Sequence, residues 1–213
     1  VMLGLVEPQS SGIGGGGFLM YYDAATGEVT AWNGRERAPA GAAPTMFLDD
    51  RGQPLARPVA IHSGRATGVP GVMAMLAEVH RLHGRLPWNS LFETTAAAAE
   101  TGFPVTARLA DQIVRHAQSD LSPDARALFS RPDGDALREG DHYANPAYAR
   151  TLRRIAGEGV SALYSGVIAQ QIVDRTHAGP YPGPLTLADL AGCGPAEIPA
   201  LCRPYRAWTL CVP

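Results

Sequence analysis

Lysine is absent from this chain: all 18 basic residues are arginine. That excludes a Schiff-base lysine, a P-loop lysine and a Ser–Lys nucleophile pair. A biased codon usage accounts for the absence, and the exclusion stands whatever its cause. Cysteine is scarce. Cys193, Cys202 and Cys211 are odd in number and nine residues apart, which fits neither a CxxC metal pair nor a small disulfide scaffold. Three unpaired packing cysteines are expected, with one disulfide open to them in an oxidising compartment. The six histidines form no HExxH pattern. His80 and His83 fall three apart on a predicted helix, where a solvated face accounts for them. No metal and no organic cofactor is called for. No apolar run reaches the roughly 18 residues of a membrane-spanning helix. The net charge of −2 gives no attraction to a nucleic-acid backbone or an anionic membrane, so neither is expected as a partner. The chain opens on Val1 with no Met, and no basic, signal-like stretch is visible in it. Both ends lie in apolar runs, "VMLGLV" and "WTLCVP", and the chain is expected to be a piece of a longer protein.

What is present is an ordinary globular composition, 46% apolar and 18% charged, with no signature of disorder. The 213 residues suffice for one domain with a core. The first sixty residues are Gly-rich and β-like. "FLMYYD" and "VTAWN" flank "AATGE" and predict a hairpin. From Val69 the pattern is helical. Val72, Met75, Leu76, Val79 and Leu82 make one apolar stripe, with Gly84 as a stop. Further helices are predicted over "WNSLFETTAAAAETG", "TARLADQIVRHAQ" with Thr106 as cap, and "NPAYARTLRRIAGEG" with Asn145 as cap. Two more follow, over "SGVIAQQIVDRTHA" and over "TLADL", the latter with a Thr186/Asp189 capping pattern. Ser119 to Asn145 reads as loop around a short helix, and "YRAWTLCV" as a closing strand.

The segment "EPQSSGIGGGGFLMYYD" poses the functional question. Gly12, Gly14 and Gly17 fit G-x-G-x-x-G, but a dinucleotide site needs a helix directly after the glycines, and here a strand follows. A flexible linker is excluded by the apolar segments on both sides. What remains is close backbone approach, to another segment or to a ligand, with Gly15 and Gly16 as the positions where a valine should do damage. Further on, "NGRERAP" carries Arg35, Glu36 and Arg37. In an extended segment the two arginines share one face and Glu36 takes the other. An arginine at a strand end can fork a carboxylate, or can simply form a surface salt bridge.

These segments, "EPQSSGIGGGGF", "NGRERAP" and "GVPGVMAMLAEVHRLHGRLPWNSLFETTAAAAETGFPVTARLA", resemble in order and spacing the large-subunit part of gamma-glutamyltranspeptidases. "LYSGVIAQQIV", "LTLADLAGC" and "YRAWTLCVP" extend the resemblance over essentially the whole chain. The resemblance implies an α+β fold, the αββα sandwich of N-terminal-nucleophile hydrolases. Residues 1–213 are then a single partial domain, N-terminal β segments followed by a mainly helical region, from the core of the large subunit. It implies a precursor that cuts itself into two subunits, the small one bearing an N-terminal Thr nucleophile. That Thr attacks a γ-glutamyl compound such as glutathione, and water, an amino acid or a peptide accepts the acyl group. Arg35 matches the family arginine that binds the substrate α-carboxylate. No catalytic residue is assigned within this chain, and Glu36 is given no catalytic role.

The departure from the family is that no Thr here occupies a matching processing site, so the isolated chain is expected to be inert. The expected partner is the small subunit of the same precursor. Bacterial-looking members are commonly secreted to the periplasm, which makes a periplasmic or secreted location the expectation, with the cytoplasm open. Three other readings compete. One is an acylase of the same fold acting on glutaryl-cephalosporin-type groups. Another is an unprocessed γ-glutamyl-binding relative. The last is a free-standing helical interaction module, against which a truncated sandwich would expose apolar sheet surface.

Overall fold

The apolar run after the glycines turns back on itself as its pattern predicts. In the computed structural model, which describes residues 1–117 and 122–213, a short helix α1 (Leu3–Val6) leads through the glycine-rich loop into β1 (Phe18–Asp23) and β2 (Glu28–Asn33). The two strands pair antiparallel, Phe18 opposite Asn33 and Asp23 opposite Glu28. Asp23 Oδ1 accepts from the Ala25 N–H at 2.8 Å, and Gly27, at φ 75°, completes the turn. Residues 34–56 are largely irregular rather than β. Then come α2 (Arg57–Ile61), α3 (Val72–His83), α4 (Ser90–Thr101), β3 (Phe103–Pro104), α5 (Ala107–Ala117) and α6 (Pro123–Leu128). The chain continues with β4 (His142–Tyr143), α7 (Pro146–Glu158), α8 (Ser161–Tyr164), α9 (Gly166–His177) and α10 (Leu187–Ala191). It ends with β5 (Ala196–Ile198), β6 (Leu201–Tyr205) and β7 (Trp208–Val212).

The caps expected from sequence form. The Leu109 N–H donates to Thr106 Oγ1 at 3.1 Å, and the Tyr148 N–H to Asn145 Oδ1 at 2.9 Å. Thr186 and Asp189 make a reciprocal capping box on α10. Within the Ser119–Asn145 stretch, α6 is the short helix, and β4 adds a two-residue ladder with β3. Residues 119–121 of that expectation lie outside the described residues.

Two expectations fail at the end of the chain. "YRAWTLCV" is not one strand. The chain reverses at Arg206, at φ 56°, so β6 and β7 form a hairpin. That register sets Cys202 directly opposite Cys211, and the two are joined by a disulfide. Only Cys193 remains a free thiol. The expectation of three unpaired thiols gives way to the one disulfide left open to them, because this hairpin's register sets residues nine apart face to face.

Three apolar clusters build the body. The largest joins α3, α4, α7, α8, α9 and α10 through Met73, Phe92, Leu152, Ile155, Leu163, Val173 and Leu190, with Leu185 from the segment before α10. A second gathers Leu5, Ala99, Val105, Leu109, Ile113 and Tyr143 around α5. The third seats the hairpin on α3, with Trp32 against Met75 and Val79 and with Leu19 and Val72 beside them. The stripe drawn for α3 is therefore only partly right. Leu76 and Leu82 are exposed, whereas Met73 and Ala74 are buried. The helix is covered on two sides, by the sheet and by other helices, so a single amphipathic face does not describe it. His83 and His80 are not a plain solvated face either. His83 stacks on Tyr21 with ring centroids 3.8 Å apart, and His80 Nε2 lies 2.8 Å from the Leu86 carbonyl oxygen.

The three-stranded sheet runs β1–β2–β5, antiparallel throughout. Strand alternation gives it two faces. Leu19, Tyr21 and Trp32 face α3. Phe18, Met20, Tyr22, Val29 and Ile198 share the other, where Phe18 and Tyr22 are more than half exposed.

Candidate functional site

The glycine-rich loop is fixed from both ends. Gly17 and Gly34 exchange backbone hydrogen bonds of 3.1 and 2.9 Å, carrying the β1–β2 ladder one step past the hairpin. The Gly15 carbonyl accepts from the Gly71 and Val72 N–H groups at 3.2 and 3.1 Å, at the start of α3. A helix N-terminus thus does meet the loop, but it belongs to a helix some fifty residues on. Its first donors are already taken by a peptide carbonyl instead of a phosphate. This is the physical reason the G-x-G-x-x-G spacing carries no dinucleotide site.

The close approach expected at these glycines falls on Gly16. A Cβ there would sit 2.4 Å from Glu36 Oε2 and 2.7 Å from the Glu36 backbone nitrogen. At Gly15 the same test meets only ordinary contacts of 3.5 and 3.7 Å, and at Gly14 nothing within 4 Å. Of the two positions where a valine is expected to do damage, Gly16 is the one where the first added carbon already collides. Gly71 has a matching role: its missing side chain leaves room for the carbonyls of Gly34 and Arg35, 2.6 and 2.8 Å from where a Cβ would be.

Between the loop and the segment after β2 lies a cleft of about 490 Å³, lined by Ser10, Ser11, Gly14, Gly16, Arg35 and Glu36 among others. The Arg35 backbone N–H donates to Asn33 Oδ1 at 2.9 Å, which fixes the chain direction as it leaves β2. Arg35 Nη2 lies 3.2 Å from Glu36 Oε2. The guanidinium is 55% exposed, so this pair adds less than about 1 kcal/mol to stability. Its consequence is orientation: the two charges stand side by side in one cleft.

That arrangement overturns the expected alternation. Arg35 and Glu36 share the cleft, while Arg37 turns elsewhere and donates from Nη2 to the Gly194 carbonyl at 3.0 Å. Residues 34–36 lie outside any strand, and a single isolated bridge follows at Arg37, opposite Val69. Without a continuous pleat, the two-residue period does not hold.

Sequence reasoning missed the supports behind this cleft. The Cys193 thiol donates to the Pro70 carbonyl at 3.2 Å, and the Tyr164 hydroxyl accepts from the Ala74 N–H at 3.1 Å. Together they hold the entry to α3 against α8 and the segment after α10. Burial pushes the Cys193 thiol up, against the pull of the Arg37 charge and the Tyr164 hydrogen bond, so it is a packing thiol. The Asp189 side chain reaches the Ala40 N–H at 2.8 Å, tying α10 to the segment that follows Arg37. Only the capping half of its role could be read from sequence. Among the described residues, no three His, Cys, Asp or Glu side chains are grouped to hold a metal ion.

Residues 1–213 match the family model for gamma-glutamyltranspeptidase. The chain belongs to the gamma-glutamyltranspeptidase family. It is 39% identical to a glutathione hydrolase proenzyme of Bacillus subtilis subsp. natto over 88% of its length, which is 32% of that protein. It is 37% identical to human glutathione hydrolase 5 proenzyme over its whole length, 36% of that protein. Among solved structures it superposes on the gamma-glutamyltranspeptidase of Helicobacter pylori with a TM-score of 0.90 at 28% identity, covering 99% of this chain and 59% of that one. It also superposes on a cephalosporin acylase of Bacillus halodurans, at 0.78 and 25%, covering 99% and 39%. The chain therefore spans about a third of the length of these curated relatives. The fold is that of these N-terminal-nucleophile hydrolases, seen here in part, as helices packed on one face of a sheet. Relatives come from bacteria and from human, so the likeness does not place the source. Among the described residues, no helix is long and apolar enough to cross a membrane.

Proposed function

We propose that residues 1–213 are the large-subunit core of an enzyme that cleaves γ-glutamyl compounds such as glutathione and transfers the γ-glutamyl group to water, an amino acid or a peptide. In this reading Arg35 binds the α-carboxylate of the γ-glutamyl group. The observation that carries it is the position of Arg35: a forked cation at the wall of a glycine-bounded cleft, in a chain of this family. The nucleophile, an N-terminal Thr, resides on the small subunit of the same precursor, and this chain alone is inert. No cofactor enters the reaction.

The second reading, a glutaryl-cephalosporin-type acylase, has a structural neighbour in its favour. The γ-glutamyl reading is preferred on charge. The cleft sets a carboxylate beside a guanidinium, which suits a zwitterionic amino-acid head, and a glutaryl group lacks the ammonium. The outer sheet face, with Phe18 and Tyr22 exposed, supports a chain that is covered by the rest of its precursor and argues against a free-standing module. The Cys202–Cys211 disulfide supports a periplasmic or otherwise oxidising location.

The test uses the full-length protein. Under denaturing conditions two chains are expected, the smaller starting with Thr. γ-Glutamyl anilide should be hydrolysed faster than glutaryl anilide, and Arg35→Ala should abolish most of that difference. An uncleaved chain that binds but does not turn over γ-glutamyl compounds would move the reading to an inactive relative.

A further inference from the structure

One short stretch meets both walls of the Arg35 cleft. It runs from Val69 to Ala74, into the first turn of α3. On the loop side, the Gly71 and Val72 N–H groups donate to the Gly15 carbonyl, and Val72 lines the cleft. On the other side, Val69 and Arg37 exchange backbone hydrogen bonds of 2.8 and 3.2 Å. The bare Gly71 also lets the Gly34 and Arg35 carbonyls close in. This stretch therefore sets how far the glycine loop stands from Arg35. Its own support comes from behind. α3 has no side-chain cap, since Gly71 stands at its N-cap, so its first-turn donors are met from elsewhere. Gly15 takes two of them, and the Tyr164 hydroxyl of α8 takes the Ala74 N–H at 3.1 Å. Tyr164 donates in turn to Cys193 Sγ, and the Cys193 thiol donates to the Pro70 carbonyl at 3.2 Å. The relay begins at Ala74 and closes at Pro70. Tyr164 and Ala74 are buried together in the largest apolar cluster, where water is a poor substitute for a lost partner.

We propose that Tyr164 and Cys193 are positioning residues for the γ-glutamyl site: by fixing residues 69–74 from behind, they hold the glycine loop and Arg35 at the separation that accepts the substrate. The inference rests on the γ-glutamyl reading above. Neither residue is among those that line the Arg35 cleft, so both act through the backbone between. A forked guanidinium–carboxylate pair depends on distance and angle together. If the Ala74 N–H loses its acceptor, the first turn of α3 shifts to find another. The Gly15 carbonyl, bonded to that turn, and the Arg35 carbonyl, packed on Gly71, shift with it. The substrate carboxylate then meets the guanidinium out of place. Such a loss weakens ground state and transition state alike, which raises KM and spares kcat. Plain loss of folded protein does the opposite: it lowers the apparent kcat and leaves KM alone.

The experiment uses the full-length, processed protein, with KM and kcat for γ-glutamyl anilide hydrolysis read separately. Tyr164→Phe keeps the ring and removes the hydroxyl. It should raise KM about three- to tenfold and leave kcat within about twofold. Cys193→Ala should raise KM by a smaller factor, and Cys193→Ser, whose hydroxyl can still donate to Pro70, should recover most of that rise. Added to Arg35→Ala, Tyr164→Phe should raise KM no further, because the group it positions is gone. Leu152→Ala truncates the same apolar cluster and serves as the control for instability: it should lower Tm and leave KM within about twofold. A folded Tyr164→Phe enzyme with the wild-type KM would overturn the proposal. So would full additivity with Arg35→Ala, a serine variant no better than the alanine one, or an equal rise in KM from Leu152→Ala. If Tyr164→Phe does not fold, the two Cys193 variants decide the matter. A wild type that hydrolyses no γ-glutamyl anilide overturns the underlying reading instead, and this proposal with it.

Discussion

Gly16→Ala is the sharpest probe of the cleft, because its cost follows from contact alone. No left-handed backbone angle is involved, so alanine can adopt the conformation. The added methyl would lie 2.4 Å from Glu36 Oε2, 2.7 Å from its Cδ and 2.7 Å from its backbone nitrogen. The carboxylate can swing away. The nitrogen cannot, since its segment is held on one side by the Gly17–Gly34 pair and on the other by the Arg37–Val69 pair, at 3.2 and 2.8 Å. Overpacking of this kind costs about 1–3 kcal/mol and should lower Tm. Swinging the carboxylate also removes the partner that orients Arg35, so the KM for γ-glutamyl anilide should rise together with the loss of stability. Gly14→Ala is the control. It meets nothing within 4 Å, and should be neutral or up to about 1 kcal/mol stabilising through the unfolded chain. Thermal unfolding and anilide kinetics of the two full-length variants settle the matter. If Gly16→Ala matches Gly14→Ala in both Tm and KM, the close approach at Gly16 is not what shapes the cleft.

Arg35→Ala should raise the KM for γ-glutamyl anilide by about 10- to 100-fold, the worth of a charge-assisted pair, and Arg35→Lys should recover only part of it. Leu152 is fully buried in the largest cluster, so Leu152→Ala should cost about 2–5 kcal/mol by denaturant unfolding. Asp189 is held below its usual range chiefly by the Ala40 N–H and next by the Thr186 hydroxyl. A depressed carboxyl contributes stability that is present above its unfolded pKa and lost as pH falls through the folded one. Asp189→Asn should therefore flatten the loss of stability below about pH 4 in acid titrations. Alkylation of the unreduced, denatured protein should label Cys193 and spare Cys202 and Cys211, and reduction should expose all three to peptide mapping.

What the sequence made legible was mostly local. The hairpin, five of the longer helices and the caps at Thr106, Asn145 and Thr186 follow from periodicity and from side chains that bond their own backbone. What was not legible depended on segments far apart in the chain. The second covered face of α3 comes from β2, some forty residues earlier. β5 joins the sheet beside β2 from the far end of the chain, with only three residues to mark it. Arg35 could be singled out by its neighbours in "GRERAP", but its companion in the cleft could not. Alternation assigned Arg37 to it, and the break in the pleat at residues 34–36 gave the place to Glu36.

The same break explains why a glycine-rich loop stands at this point of the fold. A strand that continued through Arg35 would bury every second side chain against α3, as Trp32 is buried. Leaving the ladder after the Gly17–Gly34 pair lets two adjacent side chains, Arg35 and Glu36, point into one cleft. The space they need must come from the neighbouring backbone, and Gly16 supplies it by having no Cβ. The loop then needs an anchor of its own, which the N-terminus of α3 gives by donating to the Gly15 carbonyl. Glycine loop, interrupted strand and helix start are thus one device. In a chain of this family, its product is a cation held just past the end of β2, at the wall of the cleft.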